Sequence, residues 1–214
     1  MTLTTLLFDL DGTLLDSEPG ILGCFRRTLE HFGLPDRPDA ELRRFIGPPL
    51  EHSWRALVGE ARVAEAVEVY RRCYDAAGKY RAAVYAGVEA ALEELAGRYT
   101  LVVATSKRRV FAEDMLGHFG LRPYFGAVYG VMPPDLSEPK AALIGRILHE
   151  CGLKPAQAVM IGDREFDVAA ARAHGMASIG ALWGYGSREE LILHGASLLC
   201  ESPQALIGAV GRLA

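Results

Sequence analysis

Asp9 and Asp11 stand two residues apart at the end of the apolar run Leu6-Leu7-Phe8, and Gly12 and Thr13 follow them. In extended backbone, side chains at i and i+2 point to the same side, and a glycine lets the chain turn away at low steric cost. Two carboxylates so placed can divide a reaction between them. One attacks phosphorus and forms an aspartyl-phosphate, while the other gives a proton to the leaving oxygen and later takes one from water. Both repel a phosphate, so this chemistry needs a cation, and magnesium suits carboxylate, carbonyl and phosphate oxygens. Taken alone, the Asp-Gly step is ordinary turn chemistry.

Two further polar residues end apolar runs: Thr105 after Leu101 to Ala104, and Asp163 after Ala158 to Gly162. A carboxylate beside an apolar core is costly unless a metal or substrate uses it. In open α/β sheets ligands sit beyond the strand C-termini at a topological switch point, so Asp9, Thr105 and Asp163 are expected to share one crevice. Each has a plainer reading by itself. Thr105 is helix N-cap chemistry, and Asp163 equally suits a cap for the helix beginning near Glu165. Lys140 alone reads as a solvated lysine, and Arg164 and Glu165 as exposed residues of a first helical turn, outside the site. His31, His118, His149, His174 and His194 show no metal-ligand spacing, and His52 differs only in lying near Gly47-Pro48-Pro49. Trp183-Gly184-Tyr185-Gly186-Ser187 follows an apolar run and reads as a wall of the site or as a plain loop.

The elements that must position these residues are short. Leu6 to Phe8, Leu101 to Ala104, Ala127 to Val131, Ala158 to Ile161 and Ala177 to Leu182 are too short for helices and lie between amphipathic segments. That pattern predicts buried parallel strands with helical crossovers. Val88, Ala91, Leu92 and Leu95, and Leu143, Ile144, Ile147 and Leu148, carry the helical spacing. About ninety residues separate the first strand from the next, against the roughly 10 to 15 a crossover needs. From Ser17 to Ala82 the pattern is helical, broken at Gly47-Pro48-Pro49. The predicted architecture is α/β: a doubly wound parallel sheet formed by residues 1–15 and 84–214, with an all-helical cap subdomain, residues 16–83, inserted after the first strand.

The 214 residues, half of them hydrophobic, suffice for a full core, and the net charge of −4 supplies no basic field for nucleic acid. No run reaches the roughly 18 apolar residues of a membrane helix. Cys24, Cys73, Cys151 and Cys200 have neither CxxC nor metal-ligand spacing, so free thiols and a cytoplasmic location are expected.

Asp9-Leu10-Asp11-Gly12-Thr13-Leu14, Thr105, Lys140 and Gly162-Asp163-Arg164-Glu165-Phe166-Asp167, in that order, resemble the motifs of the haloacid dehalogenase superfamily. The helical insertion stands where that family carries its C1 cap. The resemblance implies Asp9 as nucleophile and magnesium ligand, and Asp11 as general acid/base that ligates through its backbone carbonyl. It implies Asp163 as the further metal ligand, and Gly12, Thr13, Thr105 and Ser106 at the phosphoryl group. Lys140 would neutralise charge there, and Asp167 would orient a metal-bound water or Lys140. The family often writes its lysine as Lys-Pro-x-Pro, whereas this chain has Glu138-Pro139-Lys140. Lys140 is the only lysine between Lys107 and Lys154, Pro139 suits a helix start, and Lys107 is the fallback.

The implied activity is hydrolysis of a small soluble phosphate monoester. Gly184 to Leu191 is similar to phosphoglycolate phosphatase-like members. A dehalogenase would do without Asp11 and the Asp163 motif. The β-phosphoglucomutases carry an arginine shortly after the cap glycine, where this chain has Pro48-Pro49-Leu50-Glu51 after Gly47. Response-regulator receivers also gather aspartates, a threonine and a lysine, but lack the large insertion. A non-catalytic phosphate-binding protein on the same scaffold is the remaining alternative.

Overall fold

A computed structural model describes residues 2–48, 50–135 and 137–214. Pro49, part of the expected break at 47–49, lies outside the described residues. The strands are β1 (Thr5–Phe8), β2 (Leu15–Asp16), β3 (Ala83–Val84), β4 (Thr100–Arg108), β5 (Ala127–Val131), β6 (Ala158–Gly162), β7 (Ala177–Ala181) and β8 (Leu198–Cys200). The helices are α1 (Glu18–His31), α2 (Asp39–Leu42), α3 (Leu50–Val58), α4 (Val63–Ala76), α5 (Val88–Ala96), α6 (Arg109–His118), α7 (Lys140–Glu150), α8 (Glu165–Ala173), α9 (Arg188–His194) and α10 (Leu206–Gly211).

Six strands form one sheet in the order β5-β4-β1-β6-β7-β8, and each neighbouring pair is parallel. The order runs outward from β1 in both directions, so β1 with its neighbours β4 and β6 marks the switch point. Strands buried on both faces alternate their side chains between two cores. Leu6 and Phe8 enter one cluster with Val103, Val159 and Ile161, while Leu7 enters the other with Val102, Ala104 and Met160. The second cluster is closed by Leu143, Ile144 and Ile147 of α7, the stripe expected there. β8 was not among the expected strands. Its Leu198-Leu199-Cys200 run is three residues long and pairs only with β7, at the sheet edge, so it carries almost no local signal.

β2 and β3 form a separate antiparallel ribbon in which Leu15 pairs with Val84 and Asp16 with Ala83. Helices α1 to α4 lie between these two strands in the chain. Their packing centres on rings: Phe25 of α1 stacks on Trp54 of α3 at 4.8 Å and meets Tyr70 of α4 at 5.1 Å.

The same packing corrects the expectation of four free thiols. Cys24 of α1 and Cys73 of α4 form a disulfide with a Cα separation of 5.7 Å, leaving only Cys151 and Cys200 free. The two partners lie 49 positions apart, so no local spacing announces the pair. The thiol argument for a reducing compartment therefore applies only to Cys151 and Cys200. Among the described residues, no helix is long and apolar enough to cross a membrane.

Candidate active site

Asp9 follows β1 directly, and its amide donates to the Ile161 carbonyl of β6 at 2.9 Å, which fixes the strand end. Gly12 then turns the chain at φ +81°. A Cβ at that position would stand 2.2 Å from Asp163 Oδ2, so both conformation and space require glycine there. Asp163 follows β6 and is fully buried. Its Oδ1 accepts from the Thr13 hydroxyl at 3.2 Å and its Oδ2 from the Tyr185 amide at 2.8 Å. Gly12 and Thr13, expected at the phosphoryl group, pack against Asp163, and neither is among the residues lining the cavity. The helix-cap alternative for Asp163 also falls, because it is Asp167 whose Oδ2 accepts the Arg164 amide at the start of α8, at 3.2 Å.

Thr105 does not close its strand as expected. β4 pairs with β5 in regular register up to Ala104, shifts, and pairs again at Arg108. The residues between bulge out of the ladder, a common device for aiming side chains at a site. Thr105 and Ser106 face the cavity at that point, and the Thr105 hydroxyl accepts from the Lys107 amide at 3.2 Å. Thr105 therefore caps no helix, and α6 starts without a side-chain cap.

Lys140 is the first residue of α7, preceded by Pro139 in extended conformation, as the sequence order suggested. Its Nζ lies 3.0 Å from Asp9 Oδ1 and 2.8 Å from Asp167 Oδ1. Lys107 has a different partner. Its Nζ lies 2.9 Å from Asp11 Oδ2 and donates to the Tyr74 hydroxyl of α4 at 2.7 Å. Lys140 thus serves Asp9, and Lys107 serves Asp11. The other oxygen of Asp11, Oδ1, is buried and has no hydrogen-bond partner among the described residues.

Ligand oxygens of Asp9, Asp163 and Asp167 come within 4.8 Å of one another. Burial raises the Asp9 carboxyl to a pKa of about 7 against the opposing pull of Lys140, with Asp167 and Asp11 adding to the rise. Burial, then Asp167 and Asp9, likewise pushes Asp163 well above the usual carboxylate range. Burial disfavours the Lys140 ammonium, but Asp167 and Asp9 outweigh it and hold it protonated. One ammonium among three crowded, oxygen-only donors leaves negative charge unmatched in a desolvated place. That donor set fits a hard divalent cation such as magnesium.

Arg164, read from the sequence as an exposed residue outside the site, lines the cavity. Its Nε donates to Glu190 Oε1 at 2.8 Å, an Nη donates to the Ile46 carbonyl, and its guanidinium lies over Phe166. Glu190 and Ile46 stand 26 and 118 positions away in the chain, which hides them from any local pattern. Tyr185 is a wall of the site, and its hydroxyl accepts the amides of Ser17 and Glu18 at the start of α1. Trp183 donates to the Thr13 carbonyl at 3.0 Å. His52 is exposed and does not line the cavity. The cavity itself, about 130 Å³, lies where the sheet's switch point meets α1, α3 and α4.

A DxD at the switch strand, a bulged threonine, a buried lysine and a second acidic strand end thus meet in space. The sequence profile described as haloacid dehalogenase-like hydrolase matches residues 6–181. The chain belongs to this family. Within the family it is 41% identical over 205 residues to a 5'-nucleotidase of Pseudomonas aeruginosa, covering 94% of this chain and 92% of that one. A tyrosine-protein kinase PtkA of Mycobacterium tuberculosis is 37% identical over 84% of this chain and 62% of its own length. A phosphoglycolate phosphatase of Cupriavidus necator is 34% identical over 95% and 91%. Among solved structures, a haloacid dehalogenase-like family hydrolase from Streptococcus pneumoniae superposes with a TM-score of 0.93 at 34% identity, covering 97% of this chain and 98% of that one.

Proposed function

We propose that this haloacid dehalogenase-like hydrolase is a magnesium-dependent phosphatase that cleaves a small phosphate monoester through an aspartyl-phosphate on Asp9. The observation that carries the proposal is Lys140 held between Asp9 and Asp167 beside buried Asp163, with Asp11 two residues from Asp9 and one of its oxygens without a partner among the described residues. Asp9 attacks phosphorus as the bond to the leaving oxygen breaks, and Asp11 gives that oxygen its proton. Water then attacks the phosphorus of the aspartyl-phosphate as the bond from phosphorus to the Asp9 oxygen breaks, Asp11 takes back a proton from that water, and inorganic phosphate leaves with the Asp9 carboxylate restored. Asp9, Asp163 and the Asp11 carbonyl would hold the magnesium, which supplies the charge that lets two carboxylates meet a phosphate. Thr105 and Ser106 hold phosphoryl oxygens, and Lys140 neutralises charge on Asp9 and the phosphate. Asp167 positions Lys140. Residues 16–83 act as a cap over a core of residues 1–15 and 84–214 and set the leaving group.

Of the leaving groups in its relatives' names, a nucleoside suits the cavity best. Phe45, Phe111 and Phe166, each half-buried, line it, and flat aromatic walls favour a flat apolar body over a two-carbon acid. A phosphoglycolate-like substrate is the second reading. It is favoured by the relative of that name and by the Gly184 to Leu191 stretch.

The test is release of inorganic phosphate from 5'-nucleotides, phosphoglycolate and para-nitrophenyl phosphate, with magnesium and with chelator. Release is expected only with the metal and is expected to vanish in Asp9→Asn. Full turnover by that variant, or in chelator, would sink the proposal.

A further inference from the structure

At the end of the cavity formed by α4 and the start of α6 stand two arginines that the proposed chemistry does not use. Arg71 comes from α4 and Arg108 from the end of β4, so they belong to opposite layers. Both line the cavity, and both carry a buried Nε with no hydrogen-bond partner among the described residues. A second, outer cavity of about 260 Å³ is also lined by Arg71, Arg108 and Phe111, so these three residues form the partition between it and the site.

Their settings differ. Arg71 already donates to Glu51 Oε1 at 3.0 Å, which matches its charge. Arg108 has no carboxylate partner among the described residues, and its guanidinium is held over the Phe111 ring, 5.0 Å from the centroid. A buried donor left unbonded is costly, so a ligand that supplies acceptors at this partition would be favoured. Guanidinium groups only donate. A second anion on the ligand would meet Glu51 and Glu138, which line the same cavity, as well as the arginines. Neutral acceptors on a flat body meet the donors and the phenylalanine walls without that repulsion.

We infer that Arg108, with Arg71, is the base-reading site of this phosphatase and selects nucleoside monophosphates whose bases present an oxo acceptor where adenine and cytosine present an amino group. Arginine pairs in two-pronged fashion with the O6 and N7 of a 6-oxopurine, whereas adenine and cytosine turn an amino donor toward the same place. Two facing donors leave one unpaired, and a site built around hydrogen bonds discriminates strongly against such a mismatch. The inference rests on the phosphatase function proposed for the same cavity.

The experiment compares kcat/KM for UMP against CMP and for IMP against AMP, in the wild type, Arg108→Met and Arg108→Lys, with phosphoglycolate as an anionic control. The wild type is expected to prefer UMP and IMP by about tenfold or more. The preference is expected to fall to about one in Arg108→Met, with partial retention at most in Arg108→Lys, which keeps charge but loses the fork. Thermal unfolding of each variant confirms that it is folded, and a variant that does not fold is replaced by Arg71→Met, in which the preference is expected to weaken. Equal rates for oxo and amino bases in the wild type would overturn the assignment. So would a preference that survives Arg108→Met, or phosphoglycolate outpacing every nucleotide. None of those results touches the phosphatase function, which stands or falls on Asp9→Asn and chelation.

Discussion

Asp9, Lys140 and Asp167 form a chain of charges in which the Lys140 ammonium stands between two carboxylates that hold it protonated. Removing the middle of such a chain strands two buried carboxylates against each other. Lys140→Met is therefore expected to destabilise the protein by about 3 kcal/mol or more, measured by urea unfolding without metal. The double variant with Asp167→Asn should recover part of that loss, because it also removes a stranded charge. The raised pKa of Asp9 has its own consequence. Between an unfolded value near 3.8 and a folded value of about 7, the folded metal-free protein holds a proton that the unfolded chain has released. Its contribution to stability therefore falls as pH rises through that window. A cation competes with that proton, so magnesium is expected to raise the melting temperature little at pH 5 and clearly more at pH 8. A shift of equal size at both would detach Asp9 from the metal site.

Among the elements, α1 and α4 bring Phe25, Tyr70 and Tyr74 to the cavity wall, and the Cys24–Cys73 bridge ties the two helices together. A cross-link closing a loop of this length is worth about 2 to 4 kcal/mol, mainly by restricting the unfolded chain. Cys73→Ser, or treatment with dithiothreitol, is expected to lower stability by that order, read from denaturant midpoints. Phe25 and Tyr74, the neighbours of the two half-cystines, line the cavity. β4 shows how an element can mislead a sequence reader. Its apolar run ends at Ala104, where the expected strand ends, yet the chain continues through a bulge and pairs again at Arg108. The run predicted where regular pairing stops, and only the partner strand reveals that it resumes.

Across the whole molecule, the helical layer and the sheet meet through a few polar contacts above the site. Lys107 joins Asp11 of the sheet side to Tyr74 of α4, and Arg164 joins α8 to the Ile46 carbonyl. The first contact gives the layer's position a direct hold on the Asp11 carboxylate. Lys107→Met is expected to lower kcat on the order of 10- to 100-fold, as does removal of other groups that orient a catalytic ligand. Tyr74→Phe cuts only the link between layers and keeps the ion pair, so a smaller fall is expected. Steady-state kinetics on one substrate ranks the two, and the reverse order would remove Lys107 from Asp11's support.

Strand ends and glycines made much of the site legible in advance. Apolar runs closing on Asp9 and Asp163, the turn at Gly12 and the lone lysine after Pro139 at the start of α7 are local patterns, because strand period, turn geometry and helix starts are set by neighbours in the chain. The parallel α/β sheet and the helical stretch after its first strand followed from the same local rules. Tertiary structure decided the rest. Which lysine serves which aspartate, the turn of Thr13 toward Asp163, the entry of Arg164 and Arg108 into the cavity, and the pairing of Cys24 with Cys73 all join residues tens of positions apart. Such contacts depend on how layers pack rather than on any period along the chain, and a long side chain's partner is known only once the opposing wall is in place.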